Sequence, residues 1–279
     1  MVFSVSRDSV ARLTVKTISS RQNPIVRAYR ELAEEPDPAG SRLLLDGAHL
    51  VRDAQAAALR FESVAVASSY LTSATEESEI AHALERAGVD VVAADDQVFG
   101  AISPVRTPSG IAAIAHRHPT TAAAILEQAR LFALVVDGVQ DPGNLGSLLR
   151  VAEAGGVTGV IACGESANPF SWKAVRGSMG SVLRLPVARS VSIDAVMADI
   201  RKADVKTIAA VPRDGWDPDA ADWSGRIALL LGGEGAGLDP RVAAECDQRV
   251  SVPMAPPVES LNVAAAGAIL IYAARRGRP

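Results

Sequence analysis

Three segments in the second half of the sequence share one pattern: an apolar run of strand length, a loop rich in glycine or proline, and then a helical pattern. They cover residues 134–150, 227–240 and 250–263. The unbroken apolar run from Leu131 to Asp137 is typical of a strand buried on both faces of a parallel sheet. Ligands bind at the carboxyl ends of the strands in open α/β sheets. The pattern therefore predicts an α/β fold in which the three loops are candidate walls of one site.

Strands and helices alternate through the rest of this half, as in a mostly parallel α/β domain. The helix after the first apolar run is predicted over 144–153, and the last helix over 261–275. The other elements are assigned in the same way. Strands are expected at 157–162, 182–186, 206–211, 227–231 and 249–252, and further helices at 171–178 and 193–203.

The first 118 residues predict a separate, small α/β domain. Asn23-Pro24 marks the start of its first helix. Residues 119–127 begin with a proline and continue into small residues, which predicts a linker, although the alanines equally fit the start of a helix. The predicted domains are therefore 1–118 and 128–279. In the first domain, strands are expected at 42–46, 61–67, 89–93 and 111–115, and further helices at 48–59 and 77–87.

The composition is that of a globular protein able to bury two cores, since 48% of the 279 residues are hydrophobic and 22% are charged. No apolar run reaches the roughly 18 to 20 residues that a membrane span needs. The N-terminus has no signal-peptide pattern, so we expect a cytoplasmic protein. Cys163 and Cys246 form no C-x-x-C pair and have no zinc spacing with the histidines. We therefore expect neither a metal nor a disulfide.

Basic residues are concentrated in three places, although the net charge is −4. Residues 1–30 hold six arginines and lysines, among them Arg7 and Arg12, against one acid, and residues 171–189 hold four with no acid. The tail contains arginines at 275, 276 and 278. Local basic patches set phosphate affinity more than the net charge does. On charge alone, a solvated surface and a nucleic-acid-binding face stay equally open.

Three common nucleotide and hydrolase motifs are absent from the sequence. The glycines at 232, 233, 235 and 237 do not fit G-x-G-x-x-G, and no G-x-x-x-x-G-K-[ST] loop occurs. Arg176-Gly-Ser-Met-Gly180 is one residue out of frame for a G-x-S-x-G nucleophile elbow. The sequence thus argues against dehydrogenases, P-loop NTPases and α/β-hydrolases.

The three loops carry an asparagine followed six residues later by an arginine, a G-x-E-G core, and a V-P-M run followed by S-L-N. These are Asn144 and Arg150, Gly232-Gly-Glu-Gly235, and Val252-Pro-Met254 with Ser260-Leu-Asn262. In this order, over residues 131–279, they resemble the motifs of the SpoU/TrmH family of SPOUT RNA methyltransferases. The segment Arg176-Gly-Ser-Met-Gly180 also looks like that family. The departures are slight: Val252 replaces the commoner isoleucine, and Gly233 replaces serine or alanine.

The first domain resembles, more weakly, the N-terminal substrate-binding domain of the family's rRNA-modifying branch, which is built like ribosomal proteins that bind kinked RNA. The likeness lies in Ile18-Ser-Ser-Arg-Gln-Asn-Pro24 and Leu44-Leu-Asp-Gly-Ala-His49. The resemblance as a whole implies a trefoil-knotted C-terminal domain with S-adenosyl-L-methionine bound in the knot. It also implies a homodimer with its active site near the subunit interface, and methylation of a ribose 2′-oxygen, above all in 23S rRNA.

Family position makes Arg150 the residue that assists the chemistry. A guanidinium stays protonated in proteins, so we expect it to stabilise the developing alkoxide and clamp the adjacent phosphate; the alternative role is general base. Asn144 is expected at the N-cap of its helix, where it also orients Arg150 or the ribose. Glu234 is expected to pair with Arg150 or to accept a proton. Ser260, which also fits a helix N-cap, and Asn262 are expected to contact substrate or cofactor.

Two further groups of residues follow from the resemblance. Because the glycines suggest close backbone approach to a ligand, cofactor contacts through backbone and apolar surface are expected from Gly232, Val252 and Leu261. Contacts to RNA phosphates, which position RNA rather than read its sequence, are expected from Arg21, Arg27 and Arg176.

Two other functions fit the same scaffold. A protein that binds RNA without catalysis would not need the polar motif residues, and all of them are intact here. A tRNA methyltransferase is the second alternative. The N-terminal domain favours rRNA, because tRNA enzymes of the family often lack such a domain.

Overall fold

Two β-sheets, each covered by helices, make up the computed structural model, which describes residues 15–72 and 74–277. Arg7, Arg12 and Arg278 of the predicted basic segments lie outside the described residues. The first sheet contains β1 (Lys16–Ile18), β2 (Arg42–Asp46), β3 (Arg60–Ala67), β4 (Val91–Ala94) and β5 (Ile111–His116). Their order is β1-β4-β3-β5-β2. The sheet is mixed, because β5 runs antiparallel to both β2 and β3.

The helices of this part begin with α1, which starts where the sequence predicts. Asn23 Oδ1 accepts a hydrogen bond from the Ile25 amide at 2.9 Å, and Pro24 is the first helical residue. The Tyr29 hydroxyl donates to the Ser63 carbonyl at 3.0 Å and so ties the buried face of the helix to β3. The helices are α1 (Pro24–Glu34), α2 (Ala48–Ala56), α3 (Ser68–Leu71), α4 (Glu76–Arg86) and α5 (Asp96–Ile102).

The second sheet is parallel throughout. It contains β6 (Phe132–Asp137), β7 (Gly159–Cys163), β8 (Val187–Arg189), β9 (Lys206–Ala210), β10 (Ile227–Gly232) and β11 (Gln248–Val250) in the order β11-β9-β10-β6-β7-β8. Its helices are α6 (Ala122–Leu126), α7 (Pro142–Gly155), α8 (Trp172–Gly177), α9 (Ser181–Arg184), α10 (Ile193–Lys202), α11 (Pro240–Glu245) and α12 (Val263–Arg276). The carboxyl ends of the strands therefore meet at one edge, and the predicted α/β class is confirmed.

One predicted strand, 182–186, is wrong. Residues 181–184 form the short helix α9, and the strand β8 begins only at Val187. Gly180, with a φ of +81°, turns the chain between α8 and α9. Arg184 then donates two hydrogen bonds, at 2.6 and 2.8 Å, to the Glu153 carboxylate of α7. A short apolar run fits a strand or a buried helix equally well, and here this tertiary contact decides.

The sequence patterns also missed four short elements: β1, α3, α5 and α11. They have three to seven residues, too few for a clear periodicity. The helix α6 lies inside the segment 119–127, and its Ile125 and Leu126 are buried in the core of the second sheet. The remaining predicted elements agree with the structure apart from small differences at their ends.

One apolar core reaches across both sheets. The buried ring of Phe170 lies against Gly40, where an added Cβ would be 2.5 Å from the ring. Arg117, just after β5, is also buried, and its guanidinium lies 4.6 Å from the centroid of that ring. Its Nη2 donates to the Val187 carbonyl at 2.8 Å. Burial lowers the pKa of Arg117 to about 10, so it stays charged at neutral pH while joining the two sheets.

Helices α7 and α8 touch through glycine. An added Cβ on Gly146 would be 2.7 Å from the Ala174 carbonyl oxygen and 2.9 Å from the Gly177 Cα. Both neighbours are backbone atoms, which cannot rotate away as a side chain can. Glycine at 146 therefore sets the distance between the two helices.

We expect Gly146→Ala to lower the free energy of unfolding by about 1–3 kcal/mol, the usual cost of overpacking a tight contact. Gly100 is a matched control, because it is a helical glycine with no heavy atom within 4 Å of an added Cβ. Gly100→Ala should raise the stability by up to about 1 kcal/mol through helix propensity. Urea unfolding of the three proteins measures both effects, and equal effects would contradict the close packing of α7 on α8.

Candidate functional site

A surface pocket lies at the carboxyl edge of the second sheet, where the loops after β9, β10 and β11 meet. Its cavity of about 390 Å³ falls in the range of about 300–1,000 Å³ typical of small-molecule sites. Leu231 and Leu270 contribute apolar surface, and Glu234, Ser260 and Asn262 contribute polar groups. The lining residues come from the segments 210–212, 231–237, 250–254 and 260–270.

Two of the three predicted loops line this pocket, the first motif loop does not, and one further wall was not predicted. The second and third motif loops line the pocket as predicted, with Gly232, Val252, Ser260 and Leu261 among the lining residues. The segment 210–212 was not predicted to take part. The available signal was its place at the carboxyl end of β9, a parallel strand next to β10.

The glycine-rich loop after β10 is fixed by contacts with backbone of the protein itself. An added Cβ on Gly232 would overlap the backbone of Gly237 and Leu238, and one on Gly233 would overlap the carbonyl group of Gly138. Gly237 also has a φ of +68°, which other residues rarely adopt. These glycines are thus required by contacts within the protein, whereas the sequence suggested that they let a ligand approach the backbone closely. Contact of Gly232 with the cofactor stays a prediction.

Three polar motif residues form a hydrogen-bonded row. Asn262 Nδ2 donates to Asn144 Oδ1 at 3.0 Å, and Asn144 Nδ2 donates to Glu234 Oε1 at 2.6 Å. Asn144 lies in the first turn of α7, Glu234 lies in the glycine-rich loop, and Asn262 precedes α12. The row therefore joins all three motif loops beside the pocket. Glu234 therefore pairs with Asn144. Pairing of Glu234 with Arg150, one of the two roles expected for Glu234, is not seen.

The predicted helix cap at Asn144 is wrong, and Ser260, which also fits a cap, is not one. The N-cap of α7 is Asp141, whose Oδ1 accepts from the Asn144 amide at 2.7 Å, so Asn144 lies inside the first turn. The N-cap of α12 is Asn262, which accepts from the amides of Ala264 and Ala265, and Ser260 lies two residues before it. The caps differ because α7 starts at Pro142, earlier than its apolar pattern indicated. The side chain of Asn144 is consequently free to link the other two motif loops.

Arg150 lies away from this row. It follows Asn144 by six residues, which in an α-helix is about 9 Å along the axis and about 120° around it. Its side chain is exposed, and the pocket walls formed by the described residues do not include it. Glu153, the acid three residues further along α7, is bound to Arg184. Within residues 15–72 and 74–277, Arg150 has no hydrogen bond or ion pair, so its charge is available to a ligand or a partner.

The three candidate RNA contacts are exposed and lie in two places. Arg21 and Arg27 belong to the start of the first part, and Arg21 Nη2 donates to the Gln97 carbonyl at 3.2 Å. Arg176 lies in the last turn of α8, with its Nη1 4.0 Å from Asp46 Oδ1. The structure does not bring these arginines into the pocket, so any part they play concerns the surface around it.

The described residues include two free thiols and no cluster of potential metal ligands. Both cysteines are free, and burial raises the pKa of Cys163 and raises that of Cys246 to about 11, which keeps the thiols protonated at neutral pH. In the ranges 15–72 and 74–277, no three His, Cys, Asp or Glu side chains are grouped so as to hold a metal ion. No helix there is long and apolar enough to cross a membrane.

Together these residues form an α/β fold with a pocket of small-molecule size beside a row of polar motif residues. Residues 131–272 match the model of the SpoU rRNA Methylase family. The chain is 30% identical over 259 residues to the 23S rRNA (guanosine(2553)-2'-O)-methyltransferase RlmP of Bacillus subtilis (strain 168), and that match covers 92% of this chain and 98% of the relative. This protein belongs to the SpoU rRNA methylase family, as the motif resemblance predicted.

Solved structures resemble the whole chain. One is the AdoMet-bound rRNA methyltransferase from Sinorhizobium meliloti, which is 30% identical with a TM-score of 0.81 and covers 94% of this chain and 98% of that one. Another is the SpoU methyltransferase AviRb from Streptomyces viridochromogenes in complex with AdoMet, 25% identical with a TM-score of 0.81 and covering 91% and 98%. The likeness extends over both sheets, since 91% or more of this chain is covered in each.

Proposed function

We propose that this chain is an RNA 2′-O-ribose methyltransferase that uses S-adenosyl-L-methionine, with 23S rRNA as its substrate. The observation that carries the proposal is the row Asn262–Asn144–Glu234, because it joins three motif loops beside one pocket. The relatives support it. RlmP of B. subtilis is by its name a 23S rRNA 2′-O-methyltransferase, and the S. meliloti rRNA methyltransferase has AdoMet bound.

The pocket suits a cofactor that has both an apolar and a polar part. Leu231 and Leu270 offer apolar surface to a purine ring, and the glycine-rich loop offers backbone groups. In the proposal, Gly232, Val252 and Leu261 hold the cofactor through backbone atoms and apolar contacts. When bound, S-adenosyl-L-methionine supplies an electrophilic methyl group on a positively charged sulfur.

The proposed organisation follows the family resemblance. A methyltransferase domain over residues 128–279 carries a trefoil knot that forms the cofactor site, a topology almost unknown elsewhere. Residues 1–118 form an RNA-binding domain like the ribosomal proteins that bind kinked RNA, and 119–127 connect the two. The exposed arginines Arg21 and Arg27 support an RNA-binding role for the first domain. The protein works in the cytoplasm in this proposal.

Arg150 acts by electrostatics in this mechanism. Methyl transfer would form the bond from the ribose 2′-oxygen to the methyl carbon as the methyl–sulfur bond breaks, and loss of the hydroxyl proton would leave negative charge developing on that oxygen. A guanidinium stays protonated and offers several N–H donors, so it stabilises that charge and clamps the neighbouring phosphate. The absence of any hydrogen bond or ion pair to Arg150 within the described residues supports this, because nothing there competes for its donors.

Asn144 orients Glu234 in the proposal. One carboxylate oxygen of Glu234 accepts from Asn144 at 2.6 Å, and the other is left to face the substrate and accept the hydroxyl proton. Asn262 fixes the direction of the Asn144 amide by donating to its oxygen. Ser260 adds a hydroxyl at the rim of the pocket for substrate or cofactor.

The active form in this proposal is a homodimer with its active site at the subunit interface. Leu261, Ile269 and Tyr272 are large apolar residues that are 39%, 44% and 43% exposed on α12 and the segment before it, which a second copy would cover. Arg150 lies away from the pocket of its own chain. In a dimer, the Arg150 of a second copy would supply the missing arginine if it reached this pocket across the interface.

The first test is a methylation assay with the purified protein, S-adenosyl-L-methionine, and rRNA or tRNA from a strain that lacks the gene. We expect methyl transfer to 23S rRNA at one ribose, detected as resistance of one phosphodiester bond to alkaline hydrolysis. Transfer to tRNA alone would replace rRNA as the substrate. Binding of rRNA without transfer to either RNA would favour the non-catalytic alternative.

The second test separates two roles for Arg150. Arg150→Lys keeps the charge but loses the planar fork of donors, so we expect a loss of about 2–4 kcal/mol at the transition state, the scale for one oxyanion donor. Cofactor affinity should be unchanged. A general base would instead be rescued at high pH, because a lysine, with a pKa near 10.4, loses its proton more readily. Single-turnover rates between pH 7 and about 10 decide, and a rise steeper than that of the wild type would restore the base.

The third test asks whether Arg150 acts across the dimer. Arg150→Ala and Glu234→Ala should each be inactive, but mixed and reassembled chains should regain activity at about a quarter of the sites, since half of the dimers are mixed and each has one complete site. Recovery requires the arginine and the pocket to come from different chains. Mixed dimers without activity would assign Arg150 to its own pocket.

A further inference from the structure

Asp46, the last residue of β2, is a buried carboxylate where the two sheets meet. Its side chain is only 3% exposed. Ser103 Oγ donates to Oδ2 at 2.6 Å, and Ser109 Oγ donates to Oδ1 at 3.3 Å. Burial raises the pKa of Asp46, and the two serines and Arg176 act in the opposite direction. A buried charge is weak evidence for stability, so the carboxylate calls for a reason other than packing.

Arg176 is the cation that faces this carboxylate from the other part of the chain. Its Nη1 lies 4.0 Å from Asp46 Oδ1, yet its side chain remains 55% exposed. Its other N–H groups have no hydrogen-bond partner in the described part of the chain. One side of the guanidinium therefore faces the carboxylate without a hydrogen bond, and the other side is open to solvent.

Arg176 also lies next to the first motif. Its helix α8 packs on the first turns of α7, where an added Cβ on Gly177 would be 3.4 Å from the Gly146 Cα and 3.5 Å from the Gly143 oxygen. The same turns of α7 carry Asn144, and Arg150 follows. A phosphate bound to the open side of Arg176 would thus lie beside the helix that carries Asn144 and Arg150.

We propose that Asp46 is a positioning residue: it holds Arg176 so that the open side of the guanidinium binds an RNA phosphate next to the target nucleotide. The inference rests on the proposed function. It predicts that removing the negative charge of Asp46 changes RNA affinity in the direction opposite to the usual one. Removing a negative charge near bound RNA ordinarily strengthens binding, because the repulsion of phosphates falls. Removing Asp46 should weaken binding, because Arg176 loses its orientation.

Arg184 offers a matched control at the same junction. Its Nε and Nη2 donate to Glu153 at 2.6 and 2.8 Å, and its Nη1 donates to Asp53 at 3.1 Å. Three of its groups are thus occupied, which leaves no free fork for a phosphate. Asp53→Asn removes the same charge from a second pair between the two parts without touching Arg176.

The experiment compares the wild type with Asp46→Asn, Asp53→Asn, Arg176→Gln and the double variant Asp46→Asn/Arg176→Gln. Filter binding and methyl transfer use 23S rRNA, and calorimetry uses S-adenosylhomocysteine. For Asp46→Asn we expect the KM and Kd for RNA to rise about fivefold, the upper end for a partly exposed ion pair, with kcat, cofactor affinity and Tm unchanged. Asp53→Asn should leave RNA affinity at or above the wild-type value, and the double variant should match Arg176→Gln alone.

RNA affinity of Asp46→Asn at or above that of the wild type overturns the inference, as does a double variant whose losses add. If Asp46→Asn does not fold, Ser103→Ala decides by the same measure, because it removes the 2.6 Å hydrogen bond to the carboxylate and, besides it, only a 3.5 Å bond from the Val105 amide. A wild type that methylates no RNA overturns the proposed function, and this inference with it. An active wild type with an unaffected Asp46→Asn overturns the inference alone.

Discussion

Backbone contact between the loops after β6 and β10 is the constraint on which the candidate site depends. The two strands are parallel neighbours, with Ile227 opposite Phe132 and Gly232 opposite Asp137, so their loops leave the sheet side by side. Gly233 fits against the Gly138 carbonyl only because it has no Cβ. This contact carries Glu234 to the start of α7, within hydrogen-bond reach of Asn144. A wider separation of the loops would leave the same motif residues in the sequence but unconnected in space.

The parallel sheet was predictable because its strands are apolar on both faces, and an unbroken apolar run such as 131–137 is typical of such a buried strand. Patterns of this kind identify elements that packing determines through many residues at once. The strand predicted at 182–186 was wrong because packing does not determine that segment through many residues at once. Its few apolar residues fit a strand or a buried turn of helix, and the choice rests on Gly180 and on the contact of Arg184 with Glu153, which lies far away in sequence.

The site shows the same division between local and distant causes. Motif spacing placed the second and third loops at the pocket, because loops after parallel strands share an edge. The cap of α7 was predicted at Asn144, although Asp141-Pro142 is itself a helix-start signal. The position of Arg150 relative to the pocket could not be read from spacing, since it depends on the direction in which α7 leaves the sheet.

The core shared by the two sheets determines how the chain comes apart. Separating them would expose the Phe170 ring and leave the Arg117 guanidinium, which contacts that ring and the Val187 carbonyl, without either neighbour. The first sheet therefore unfolds together with the second as one cooperative unit, and does not behave as an independent domain. A protease that cut between β5 and α6 would produce two fragments that remain associated, held by an interface built like a protein interior. The position of the exposed Arg21 and Arg27 relative to the second sheet is accordingly a property of the fold, and does not have to be acquired when RNA binds.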